Sequence, residues 1–85
     1  MSKKKQKNQN LRPTDEELGT LMRICMNLRD EAKVQLAISN NPANNDAIRL
    51  HSRSVSNQLA AESNVVVSVL KYFGVPGPDP MELCD

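Results

Sequence analysis

Asn40-Asn41-Pro42-Ala43-Asn44-Asn45 decides how this chain folds. Pro42 cannot continue a helix arriving from the N-terminal side, because it has no N–H to donate and its ring clashes with the preceding turn. The asparagines around it suit left-handed backbone or a helix cap. Six residues of this kind match the usual length of a connection between antiparallel helices. The stretch therefore predicts one hairpin, with a helix on each side.

Moving back from the turn, Leu18, Leu21, Cys25, Leu28, Ala32 and Leu36 follow a three-and-four spacing, which predicts a first helix from about Asp15 to Ser39. Its start is marked by Thr14 as N-cap and Glu17 three residues later, a capping box. Asp15, Glu16 and Glu17 place negative charge where the helix dipole favours it. Met22 and Ile24 widen the apolar stripe on its two sides, and Met26, Val34 and Ala37 lie further round. That arc is broader than one neighbouring helix can cover.

Moving forward from the turn, Ile48, Ser52, Val55, Leu59, Val66, Leu70 and Phe73 predict a second helix over about 46–73, ended by Gly74 and Pro76. Val65-Val66-Val67-Ser68-Val69 has strand propensity, but the helical stripe continues through it. Ser52, Ser54, Ser56, Ala60, Ala61 and Ser63 are small and permit close helix approach. The fold class expected is all-α: an antiparallel two-helix hairpin over residues 13–75. A flexible basic tail (1–12) and an extended Pro-rich acidic tail (76–85) flank it, the latter carrying Met81 and Leu83 outward.

The composition narrows what such a hairpin can do. Eighty-five residues with no Trp, one Tyr and one Phe make a marginal core, which small scaffolds reinforce by disulfides, metal or oligomerisation. Two distant cysteines, Cys25 and Cys84, make no disulfide framework. His51 is the only histidine and has no ligand set around it, so neither metal nor cofactor is expected. Homo-oligomerisation remains, with Leu21, Met22, Ile24, Leu28, Leu59 and Val66 as the expected interface. No apolar run is long enough to span a bilayer, and no leader follows Met1, so a cytoplasmic location is expected.

No catalytic constellation is evident. Cys25 falls on the core stripe, His51 lacks a nucleophilic partner, and the three glycines form no phosphate loop. An enzyme is not expected. The basic residues are more informative. Arg29 and Lys33 are four apart on the first helix, and Arg49 and Arg53 on the second, a spacing that costs about 0.2–0.5 kcal/mol per like-charged pair. Folding about the middle of the turn levels Lys33 with Ser52 and Arg29 with Ser56, at about 1.5 Å of rise per residue. Rotational position puts the four cations on one flank, with Glu31 and Glu62 displaced the other way. Arg29, Lys33, Arg49, Arg53 and Ser56 thus form a candidate site for a phosphate or carboxylate. Alternatives are a protein–protein adaptor or inhibitor using the apolar stripe and tails, and nucleic-acid binding through Lys3, Lys4, Lys5 and Lys7.

Arg12-Pro13-Thr14-Asp15-Glu16-Glu17-Leu18, with Leu21-Met22 and Ile24, resembles the opening of the first long helix in phage helical-hairpin proteins that sequester cyclic nucleotide immune messengers. The resemblance implies a homo-oligomer with nucleotide pockets between subunits, no catalysis, and a viral counter-defence role in the host cytoplasm. It covers less than a quarter of the chain. Asn57-Gln58-Leu59 and Val65-Val66-Val67 lack the arginine of the family's second helix, so no ligand-binding residue is carried over.

Overall fold

The computed structural model describes residues 12–84. The lysines of the basic tail and Asp85 lie outside that range. Helix α1 runs Asp15–Asn40 and helix α2 runs Asp46–Tyr72, packed against each other as a hairpin. There is no strand among the described residues, and Val65–Val69 is helical. Among the described residues no helix is long and apolar enough to cross a membrane.

The ends of the helices are fixed by side chains. The Glu17 N–H donates to Thr14 Oγ1 at 3.1 Å and the Thr14 N–H to Glu17 Oε1 at 2.8 Å, which completes the capping box. Asn45 caps α2 by accepting from the Ile48 N–H at 2.9 Å. The turn asparagines act through their amides, since no non-glycine residue among those described has positive φ. Asn41 Oδ1 accepts from the Ala43 N–H, and Asn44 Nδ2 donates to the Ile38 carbonyl, one of the groups the helix end leaves free.

At the other end, the Gly74 N–H donates to the Lys71 carbonyl and the Val75 N–H to the Leu70 carbonyl. With Gly74 at φ 80°, this is a Schellman motif. It reverses the chain, and the segment from Val75 to Cys84 runs back along the hairpin in extended form.

The seam differs from the expected stripe. On α1 the buried residues are Leu18, Cys25, Ala32 and Ser39, one every seven positions. On α2 they are Ser52, Ser56, Ala60, Ser63, Val67 and Leu70. Only Leu18, Val67 and Leu70 among these are large. Leu21, Leu28, Leu59, Val66 and Phe73, expected at the centre, are half-buried beside the seam. The small residues let one helix bond directly to the backbone of the other. Ser56 Oγ donates to the Ala32 carbonyl at 2.9 Å, Ser63 Oγ to the Cys25 carbonyl at 3.5 Å, and Cys25 Sγ lies 3.4 Å from Ser63 Oγ.

No buried side-chain nitrogen or oxygen among the described residues lacks a partner, so the polar seam is satisfied. The register follows from these contacts. Ala32, rather than Arg29, is level with Ser56.

Candidate functional site

At about 100° per residue, the side chains beside the seam divide into two flanks. One carries Met22, Arg29 and Lys33 from α1 with Arg53, Asn57 and Asn64 from α2. The other carries Leu21, Ile24 and Leu28 from α1 with Ile48, Val55, Leu59, Val66 and Phe73 from α2. Arg49 lies close to the seam itself.

The C-terminal segment covers the first flank, and main-chain contacts hold it there. Asn64 Nδ2 donates to the Met81 carbonyl at 2.9 Å, and the Met81 N–H donates to Asn64 Oδ1 at 2.8 Å. Asn57 repeats the arrangement with Cys84, both bonds being 2.7 Å. Arg29 donates from a terminal nitrogen to the Asp79 carbonyl at 2.7 Å. Gly77 lies beside the hairpin, where an added Cβ would rest in ordinary contact with Val67 at 3.7 Å and Leu70 at 3.8 Å. Met81, expected to point outward, is half-buried, whereas Leu83 is 51% exposed.

These contacts redistribute the expected anion-binding residues. Arg29 is half-buried and engaged by the tail. Arg49 donates from Nε to the Ser39 carbonyl at 2.9 Å, which ties it to the C-terminal end of α1. Ser56 is buried in the seam and donates to Ala32, so it is not on the flank. The reason is where the seam falls on α2: it is centred on Ser52, Ser56, Ala60 and Ser63, so Ser56 faces the other helix and meets its carbonyl. Lys33 and Arg53 remain exposed. Arg53 joins Ser39, Asn40, Asp46, Arg49 and Leu50 around an open pocket of about 310 Å³ at the turn end of the hairpin. Both charge signs line it.

The second flank is apolar and exposed along both helices. Ile24 and Ile48 are 43% and 46% exposed, and Leu21, Leu28, Val55, Leu59, Val66 and Phe73 beside them are half-buried. Of the six expected interface residues, Leu21, Ile24, Leu28, Leu59 and Val66 share this flank. Met22 falls on the tail flank, seven positions before Arg29. At the end of the hairpin opposite the turn, the Arg12 guanidinium sits 5.8 Å over the Phe73 ring, whose edge-to-face neighbour is Tyr72.

Nothing among the described residues gathers three or more His, Cys, Asp or Glu side chains as metal ligands. The Asn57 and Asn64 clamps escaped the sequence reading. The signal that could have found them is two amides seven apart at the edge of a seam, opposite a Pro-rich segment with no core of its own. No protein family, curated protein or solved structure matches this chain.

Proposed function

We propose that this chain is a non-enzymatic interaction module that works by docking helices on its open apolar flank, first of all those of a second copy of itself. The observation that carries this reading is the asymmetry of the hairpin. Its own C-terminal segment covers one flank, while the other presents an apolar band along the length of both helices. Isolated apolar side chains on a surface are ordinary, but a continuous two-helix band is a docking surface. Glu31 and Glu62 border it, and polar rims of this kind are usual around the apolar centre of an interface.

Two such flanks facing each other make a four-helix bundle, whose core would hold the leucines and valines that the Ser- and Ala-rich seam leaves outside. Multi-angle light scattering on the full chain tests this. A dimer or larger assembly at micromolar concentration supports the reading, and a folded monomer there removes it.

A second reading rests on the turn-end pocket. Arg53, with Arg49 behind it and Asn40 beside it, offers cationic and amide groups to a small anion, and the Asp46 carboxylate can accept only from an N–H or O–H that the ligand also carries. A cyclic dinucleotide, as the resemblance to messenger-sequestering phage proteins implies, is the natural first probe. A ligand bound there raises the melting temperature by linkage. A thermal-shift screen of nucleotides that gives no shift at any concentration up to millimolar removes this reading and leaves the first intact.

A further inference from the structure

The tail flank reads a polypeptide in a way that does not depend on most of its side chains. Every hydrogen bond from the hairpin to the segment Asp79–Cys84 ends on that segment's main chain: Arg29 to the Asp79 carbonyl, and Asn64 and Asn57 to both groups of Met81 and Cys84. Glu82 and Leu83 are exposed and take no part.

The spacing explains why two asparagines suffice. Seven helical residues advance about 10.5 Å, and three residues of polyproline-type chain advance about 9.3 Å. Amides seven apart on α2 therefore meet every third residue of an extended segment laid beside them. Each clamped residue must have an N–H, so proline is excluded at those two positions and admitted at the others, as Pro78 and Pro80 show.

From this we infer that the tail flank is a binding groove for extended, proline-containing peptide segments of another protein, and that the chain's own C-terminal segment is its resident occupant. The preferred ligand carries two non-proline residues three positions apart, whose main-chain N–H and C=O groups pair with Asn64 and Asn57. An entering segment must displace the tail, which is tethered at Gly74 and has the advantage of high local concentration. Binding in trans is consequently weak in the wild-type chain and stronger once the tail cannot clamp. This surface is separate from the open apolar flank, so either assignment can fail without the other.

The test uses the full chain and a fluorescent synthetic peptide with the sequence of residues 75–84. In the variant Met81→Pro/Cys84→Pro, the tail loses both donated N–H groups, and the peptide should bind at least tenfold more tightly than to wild type. Adding Asn57→Ala and Asn64→Ala should abolish that gain. A peptide with alanine in place of Asp79, Glu82 and Leu83 should bind within about threefold of the parent, and one with proline at the two clamped positions should not bind. Equal binding of the parent and clamp-proline peptides, or no gain in the tail variant with helicity retained, overturns the inference.

Should the tail variant lose its helicity, wild-type protein labelled with ¹⁵N decides. Millimolar parent peptide must shift the main-chain amide signals of Met81 and Cys84 in the labelled, displaced tail, while the clamp-proline peptide does not. The absence of that difference also overturns it. If instead the wild-type assembly dissociates on Met81→Pro/Cys84→Pro and no peptide binds, the groove serves only tails exchanged between copies, which rejects a foreign ligand.

Discussion

The two flanks of this hairpin are built from the same two helices and yet are finished differently. On one, polar side chains at the seam edge, Arg29, Asn57 and Asn64, hold an extended segment by its backbone. On the other, aliphatic residues at mirror positions, Leu21, Leu28, Leu59 and Val66, lie half-exposed. The contrast shows how amide and aliphatic edges suit different companions. An extended chain brings unpaired N–H and C=O groups that need partners, so an amide-bearing edge suits it. A helix has already satisfied its backbone and offers only side chains, so an aliphatic edge suits that.

The largest effect is expected where both flanks depend on the same residue. Ala32 is fully buried, and its carbonyl accepts from Ser56. Ala32→Leu forces the helices apart and should cost about 1–3 kcal/mol or more, read as a lower midpoint in chemical denaturation. It should also loosen tail and open flank together.

Next in size, Leu28→Asp places a charge in the open flank. In the proposed assembly it should weaken self-association by about a hundredfold, or about 2.8 kcal/mol at 1.4 kcal/mol per tenfold. Sedimentation should show this while hydrogen exchange of the Met81 and Cys84 amides in the tail stays unchanged. Asn64→Ala is the mirror experiment. It removes two hydrogen bonds, each contributing about 0.5–1.5 kcal/mol, and should speed exchange of the tail amides without altering assembly. If either variant disturbs both flanks equally, they are not independent.

The smallest effect belongs to Arg53→Glu. It converts a like-charged four-apart pair with Arg49 into an attractive one and should stabilise the helix by about 0.2–0.5 kcal/mol. Arg49 is already held by the Ser39 carbonyl, so a slightly higher melting temperature with unchanged assembly is the expected outcome. The same variant should abolish any nucleotide-induced thermal shift, if one exists.

The hairpin was legible because its signals are local. Thr14 with Glu17, the Asn-rich turn around Pro42, and Gly74 each act within a few residues, and each acts in the structure much as its residue type dictates. The seam was not legible in the same way. Large aliphatic residues at Leu59, Val66 and Phe73 outweigh serine in any reading of hydrophobic periodicity. The value of Ser56 and Ser63 in the seam comes from how closely the second helix approaches, which no single helix encodes. The seven-residue recurrence of Cys25, Ala32 and Ser39 was a usable clue.

Ser56 faces Ala32 rather than Arg29, because the expected register differs from the observed one by three residues and the expected stripe centred α2 on Val55, Leu59 and Val66 rather than on its serines. The tail's path depended on a main chain meeting two amides from a distant part of the sequence, and composition alone describes only the segment's stiffness.

The two thiols fall on different levels of this architecture. Cys84 is half-buried, with its main chain clamped by Asn57, while Cys25 is fully enclosed against Ser63. A thiol-modifying reagent reaches the first whenever the tail lifts and the second only when the helices part. The native chain therefore carries two clocks, and the ratio of their labelling rates reports how often the outer layer comes away for each time the whole hairpin opens.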